Sequence, residues 1–121
     1  KEIIDANKKI EQISGKKNTL FRAPYGEYNN TVIKAATDLG YYTIQWNVDS
    51  LDWKSRNVEA IRYEILSNVK NGSIILCHDI HKTTVDAMEV IIPELQAKGF
   101  KFVTVTELLG TTTPGMVYYH R

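Results

Sequence analysis

The chain has 121 residues, of which 43% are hydrophobic and 24% charged, and its formal net charge is +1. These values favour one ordinary globular domain and give no electrostatic reason to expect a nucleic acid or an anionic membrane as partner. No apolar run approaches the roughly 20 residues of a membrane-spanning helix, and the single cysteine, Cys77, excludes an internal disulfide.

Hydrophobic periodicity and turn residues predict helices that alternate with strands. In chain order, the predicted helices cover residues 1–14, 31–39, 58–70, 84–98 and 106–109, and the predicted strands cover residues 19–22, 41–48, 74–77 and 100–105. Asn29 or Asn30, Asn57 and Thr106 are the expected helix caps. Pro93 should kink the fourth helix or delay its second half. This alternation predicts an α/β fold with a parallel sheet.

The apolar run Ile74–Cys77 predicts a strand buried on both faces, and His78 and Asp79 follow it directly. Parallel α/β proteins place their reactive groups at the carboxyl ends of strands. A histidine at that position can carry a proton near neutral pH. The structural alternative is a histidine that only forms a hydrogen bond at the end of the strand.

Two other predicted strands also end in residues with useful chemistry. These residues are Arg22, Pro24 and Tyr25 after the first strand, and Asp49, Asp52 and Trp53 after the second. Because the carboxyl ends of parallel strands lie on one rim, we expect these side chains to converge with His78. Each residue taken singly has a structural alternative as a surface cation, a cap or a core aromatic.

The predicted rim has part of what a hydrolytic or acyl-transfer site needs. A carboxylate beside His78 would hold the imidazolium in place, and backbone amides of the turn at residues 24–26 would face a developing oxyanion. Trp53 and Leu76 would wall a small apolar pocket. A nucleophile is missing, because no serine lies in a nucleophile elbow and Cys77 lies in the buried run. His78 and His81 are a weak alternative as a metal pair, since no third ligand is evident.

Three stretches, in this order, resemble the third, fourth and fifth motifs of the polysaccharide deacetylases, also called the NodB-homology or family 4 carbohydrate esterase family. They are residues 21–26 (Phe-Arg-Ala-Pro-Tyr-Gly), 48–55 (Val-Asp-Ser-Leu-Asp-Trp-Lys-Ser) and 73–81 (Ser-Ile-Ile-Leu-Cys-His-Asp-Ile-His). Residues 99–105 resemble the last strand of the family, so the likeness covers residues 1–109. The form Asp-Ser-Leu-Asp-Trp is most similar to the peptidoglycan N-acetylglucosamine deacetylases.

The resemblance implies that residues 1–121 are the C-terminal part of a single deacetylase domain, with residues 110–121 as a tail. The implied fold is the C-terminal half of a distorted (β/α) barrel with parallel strands. The implied reaction is metal-dependent hydrolysis of N-acetyl groups on N-acetylglucosamine residues of peptidoglycan or a related polysaccharide. In this family a metal-bound water attacks the acetyl carbonyl with help from an aspartate base.

The resemblance also assigns roles to individual residues. His78 is similar to the general acid that protonates the leaving amine, Asp52 to its charge partner, and Arg22 to the arginine that tunes the catalytic carboxylate. The backbone amide of Tyr25, in the turn that Pro24 opens, is similar to the oxyanion donor. Trp53 and Leu76 resemble the walls of the acetate pocket.

The chain departs from the family in one large respect. The two motifs that supply the catalytic base and the metal ligands are absent, and the sequence contains no Asp-Asp pair. The resemblance therefore implies a divalent metal, zinc first and cobalt second, whose ligands lie on a missing N-terminal part. That fragment is an expected partner, together with an N-acetylated polysaccharide substrate, and the expected location is extracellular or at the cell envelope.

Three other interpretations stay open from the sequence. The first is an acetylxylan or other O-acetyl esterase of the same fold. The second is an inactive carbohydrate-binding relative, although a pure binder has no need of an acid with a carboxylate partner. The third is a small open-sheet protein with an unrelated ligand, which would fold alone as a monomer and bind no metal.

Overall fold

The computed structural model of the chain describes residues 1–113 and 115–121. Helices and short parallel strands alternate along these residues. The elements are α1 (Glu2–Ser14), β1 (Leu20–Phe21), a 3-10 turn (Pro24–Gly26), α2 (Asn30–Asp38), β2 (Tyr42–Ile44), β3 (Val48–Asp49), α3 (Asp52–Ser55), α4 (Val58–Asn68), β4 (Ile75–Leu76), α5 (Lys82–Ala97), α6 (Val105–Leu109) and β5 (Val117–Tyr118). Among them, no helix is both long enough and apolar enough to cross a membrane.

The first of two compact units comprises residues 1–45 and 111–118, and its sheet has the order β1-β2-β5. Both strand pairs are parallel, as the helix–strand alternation predicts. Asn29 caps α2 as expected, because its side chain accepts a hydrogen bond from the backbone N–H of Val32. The tail supplies β5, which pairs with β2.

The second unit comprises residues 46–110 and 119–121 and pairs β3 with β4 in parallel. The predicted cap Asn57 is confirmed at the start of α4, where its side chain accepts from the N–H of Ala60. Helices α4 and α5 pack on one core, whose buried members are Val48, Ile61, Ile65, Ala87, Ile91 and Leu95. Arg62 on α4 also donates two hydrogen bonds, of 2.7 and 2.8 Å, to the carboxylate of Glu94 on α5.

The predicted strand over residues 41–48 is wrong as one element, because it forms two short strands, β2 and β3, with residues 45–47 between them. The predicted last strand over residues 100–105 is also wrong. Residues 100–104 have no strand partner within the described part of the chain, and a strand without a ladder leaves its N–H and C=O groups unpaired.

Two helix predictions need correction as well. Helix α6 begins at Val105, and its cap is Thr104 instead of Thr106, because the Thr104 hydroxyl accepts from the N–H of Glu107. Helix α5 begins at Lys82 and continues through Pro93 to Ala97. Ile91 and Leu95, on either side of the proline, are both 1% exposed. The free energy gained by burying these side chains offsets the cost of the backbone hydrogen bond that proline removes.

Candidate active site

The site is built where β3 and β4 end. Asp49 in β3 lies opposite Leu76 in β4, and the two strands are parallel, so the chain leaves both strands at the same edge. The segment after β3 turns into α3, which begins with Asp52. The segment after β4 leads through Cys77 to His78. The strand register therefore brings Asp52 and His78 together across 26 residues of sequence.

Asp52 is fully buried, at 0% exposure, and its carboxylate accepts four hydrogen bonds. Oδ2 accepts from the backbone N–H of His78 at 2.6 Å and from the hydroxyl of Thr84 at 2.8 Å. Oδ1 accepts from the backbone N–H of Trp53 at 2.8 Å and lies 2.8 Å from Nδ1 of His78. An ionised carboxylate offers about four lone-pair directions, so all the acceptor capacity of this group is used.

These contacts decide the charge of Asp52. Burial alone raises the pKa of the carboxyl group, since it penalises the charged form. The hydrogen bonds from His78, Thr84 and Trp53 act in the opposite direction and lower the pKa from 3.8 to about 2. Asp52 is therefore a buried carboxylate that stays ionised at neutral pH.

The ionised carboxylate fixes the tautomer of His78. A carboxylate can only accept, so Nδ1 of His78 must carry the proton and donate it to Oδ1 of Asp52. The other ring nitrogen, Nε2, is left to exchange a proton with another molecule. The side chain of His78 is 35% exposed, so part of it is accessible to another molecule. The arrangement is that of a general acid–base whose orientation is held by a buried anion.

The low pKa of Asp52 predicts how stability depends on pH. Because the folded state binds this proton more weakly than the unfolded state, Asp52 contributes its full stabilisation above pH 3.8 and loses it as the pH falls through about 2. The loss should be about 2 kcal/mol. Urea unfolding at several pH values between about 5 and 2, followed by tryptophan fluorescence, measures it. Equal pH slopes in the wild type and in Asp52→Asn would contradict the prediction.

Ser50 and Thr84 support the pair and were not predicted from the sequence. Ser50 is fully buried, and its hydroxyl accepts from the N–H of Asp52 at 3.4 Å. Thr84 comes from the first turn of α5 and is 2% exposed. The only sequence signal for Thr84 is a polar residue at a helix start, which also fits an ordinary cap. Cys77 lies beside Ser50, and burial raises the pKa of its thiol, which disfavours a nucleophilic role.

The backbone around Asp52 is strained. Leu51 (φ 52°) and Arg56 (φ 45°) both adopt the left-handed conformation, and they flank the four residues of α3. Residues other than glycine adopt this conformation at a cost of about 1–2 kcal/mol. Such strain clusters at functional sites, where the surrounding structure holds it in place. Here the strained Leu51 directly precedes the buried Asp52.

The turn at Pro24–Gly26 belongs to the first unit and has its own unusual geometry. Tyr25 adopts the left-handed conformation (φ 59°), and its side chain is 97% exposed. Gln45, which follows β2, donates from Nε2 to the carbonyl oxygen of Gly26 at 2.8 Å. The buried Gln45 therefore stabilises the turn through its last residue, Gly26, while the Tyr25 side chain lies in solvent.

The residues predicted for the site are distributed over the two units. In the second unit the structure brings together Asp52, His78 and the backbone of Trp53. The indole of Trp53 is 52% exposed, whereas Leu76 is buried. Arg22, Pro24 and Tyr25 belong to the first unit. Convergence of all the strand ends on one rim, and the acetate pocket, stay predictions.

The described residues contain no group of three or more histidine, cysteine, aspartate or glutamate side chains that could hold a metal ion. The donor set of this chain alone therefore does not fit the divalent metal that the resemblance implies. The alternative metal pair, His78 and His81, therefore has no third ligand of these types among the described residues.

Comparison with known proteins agrees with the motifs. The family model for polysaccharide deacetylases matches residues 1–44. A peptidoglycan N-acetylglucosamine deacetylase of Bacillus cereus is 41% identical over 113 residues, which covers 89% of this chain and 53% of that protein. The chain spans about half the length of this relative and 23% of the length of the peptidoglycan N-acetylglucosamine deacetylase PgdA of Listeria monocytogenes, to which it is 38% identical.

Solved structures give the same result. The peptidoglycan deacetylase PdaC from Bacillus subtilis has a TM-score of 0.81 at 37% identity, over 88% of this chain and 52% of that one. A CE4 family pseudoenzyme from Bacillus anthracis has a TM-score of 0.81 at 29% identity, over 94% of this chain and 41% of that one. The predicted α/β fold, about half of a (β/α)-barrel deacetylase, is confirmed. The resemblance to the polysaccharide deacetylases, carbohydrate esterase family 4, is therefore confirmed.

Proposed function

We propose that this chain supplies the proton-donating part of a deacetylase domain that removes N-acetyl groups from N-acetylglucosamine residues of peptidoglycan. The observation that carries this proposal is the buried, fully hydrogen-bonded Asp52 beside the partly exposed His78. The named activities of relatives that cover about nine-tenths of the chain support the choice of substrate.

The chemistry of amide hydrolysis explains why such a pair is useful. Cleaving the C–N bond of an acetamide expels an amine, which leaves readily only when its nitrogen receives a proton. Nε2 of His78 would donate that proton, and the Asp52 carboxylate would stabilise the imidazolium before transfer. Nδ1 keeps its proton throughout, since it remains hydrogen-bonded to Oδ1 of Asp52. A domain that only binds sugar would gain nothing from this arrangement.

The other site residues keep the roles that the family resemblance implies. Arg22 would tune a catalytic carboxylate on another segment, and Trp53 and Leu76 would wall the acetate pocket. The amide of Tyr25, in the turn opened by Pro24, would donate to the oxyanion. The left-handed backbone and high exposure of Tyr25 support this role, because they are typical of a strained turn at a functional site.

The metal, the partner and the location belong to the same proposal. We expect a divalent ion, zinc first and cobalt second, to be bound by ligands outside this sequence. The segment that carries them, the N-terminal part of the domain, would be needed for activity. We also expect the enzyme to act outside the cytoplasm or at the cell envelope, where peptidoglycan lies.

The likeness to a pseudoenzyme supports a second candidate, an inactive relative that keeps the fold. The intact Asp52–His78 pair favours the enzyme over this candidate. An O-acetyl esterase is a third candidate. An ester releases an alcohol, which needs less help from an acid than an amine does.

The test uses the complete domain, this chain together with the segment that carries the metal ligands, and short N-acetylglucosamine oligomers. We expect one acetate and one free amine per reaction, no product after treatment with a chelator, and recovery with Zn²⁺ or Co²⁺. An aryl acetate ester is assayed in parallel. A folded, metal-loaded domain that releases no acetate contradicts the proposal in favour of the inactive relative. Release from esters alone points to the esterase.

A further inference from the structure

The first turn of α5 contributes one side chain, that of Thr84, to the site around Asp52. Thr84 is 2% exposed, and its hydroxyl donates to Oδ2 of Asp52 at 2.8 Å. Its backbone N–H donates to the carbonyl oxygen of His81, where the helix begins. Further along the same helix, Ala87 and Ile91 are anchored in the core of the second unit. Thr84 is therefore held by a rigid element.

The orientation of a carboxylate is otherwise weakly determined. The terminal torsion of an aspartate side chain is broad, so hydrogen bonds must fix the plane of the group. The other three donors to Asp52 come from Trp53, its neighbour in sequence, and from His78, the residue that it positions. Among the described residues that donate to Asp52, Thr84 is the one that belongs to neither of these segments, and it links the pair to the packed helix.

We propose that Thr84 is a positioning residue: its hydroxyl fixes the plane of the Asp52 carboxylate and so holds His78 in the orientation that delivers a proton. The effect on the reaction depends on the proposed deacetylase function. The effect on the geometry of the pair does not. Without the hydroxyl, one acceptor site of a fully buried anion is left empty, and the carboxylate can rotate relative to the imidazole.

The neighbouring residue provides a matched control. The hydroxyl oxygen of Thr83 is buried and has no hydrogen-bond partner among the described residues. Thr83→Val and Thr84→Val make the same chemical change at adjacent positions of the same helix. Only the second change removes a donor from Asp52. Thr84→Ser, which keeps the hydroxyl and loses the methyl group, is the rescue variant.

Kinetics on the complete domain separate positioning from a general loss of structure. We expect Thr84→Val to lower kcat on N-acetylglucosamine oligomers by about 10- to 100-fold with little change in KM. The rate on an aryl acetate ester should fall by less than about 3-fold, since its leaving group needs little protonation. Thr84→Ser and Thr83→Val should stay within about 3-fold of the wild type on both substrates.

A spectroscopic readout tests the geometry without activity. The Nδ1 proton of His78, shared with a buried carboxylate, should give a resolved low-field ¹H NMR signal in the wild type, Thr84→Ser and Thr83→Val. In Thr84→Val this signal should shift or broaden. An unchanged signal together with an unchanged ratio of amide to ester rates would overturn the proposal. An equal loss on both substrates, not rescued by serine, would do so as well. If the wild type proves inactive, the NMR result alone decides the role of Thr84.

Discussion

Replacing His78 with alanine should lower kcat/KM for the deacetylation of N-acetylglucosamine oligomers by about 10²- to 10⁴-fold, the usual contribution of a general acid. The departing amine would then have to leave without the proton that Nε2 supplies. The rate of hydrolysis of an aryl acetate ester should fall much less, because its phenolate leaving group departs readily without a proton. Steady-state kinetics on both substrates, with the complete metal-loaded domain, measure the difference.

The design of this variant limits structural side effects. The backbone N–H of residue 78, which donates to Oδ2 of Asp52 at 2.6 Å, remains in His78→Ala. Thr84 and Trp53 also continue to donate to the carboxylate. His120→Ala, which removes an exposed imidazole from the tail, is the control and should behave as the wild type. Amide and ester rates that fall together in His78→Ala would exclude a proton-donor role.

The proximity of Asp52 and His78 could be predicted because it follows a general rule of parallel sheets. His78 and Asp52 each follow a predicted parallel strand, and parallel strands end at a common edge. The caps Asn29 and Asn57 could be predicted for a similar reason, since one side chain and two or three neighbouring N–H groups decide a cap. A cap depends on a few residues that are close in sequence, whereas the pair, 26 residues apart, depends on the rule for strand ends.

The features that the sequence did not reveal depend on long-range contacts. Thr84 is 32 residues from Asp52 in the sequence. It can donate to Asp52 only because the start of α5 lies beside the site in the folded chain. The strand expected over residues 100–105 has the right side chains and lacks a ladder partner in the described part of the chain. β5 forms in a tail rich in turn residues because β2 offers it an open edge. Pairing partners decided these elements more than local propensity did.

Asp52→Asn should have the largest combined effect, on stability and on activity. The substitution keeps the shape of the side chain, so no cavity forms, but it replaces one acceptor oxygen with an NH₂ donor. If the new NH₂ group takes the position of Oδ1, it meets the backbone N–H of Trp53, which is also a donor. If it takes the position of Oδ2, it meets the backbone N–H of His78 in the same way. Neither backbone group can reverse its role. We expect a loss of about 3 kcal/mol in the free energy of unfolding.

The effect of Asp52→Asn on catalysis should exceed what the loss of stability explains. Without the carboxylate, Nδ1 of His78 can become an acceptor for the new amide, which selects the wrong tautomer and removes the anion that stabilises the imidazolium. A change of this kind typically costs about 10³- to 10⁴-fold in kcat. Urea unfolding and amide kinetics, both at a temperature at which circular dichroism shows the variant to be folded, separate the two effects. Asp38→Asn, which neutralises an exposed carboxylate on α2, is the control. A folded Asp52→Asn domain with wild-type kcat on the amide would refute the assignment of Asp52 and His78 as the proton-donating pair.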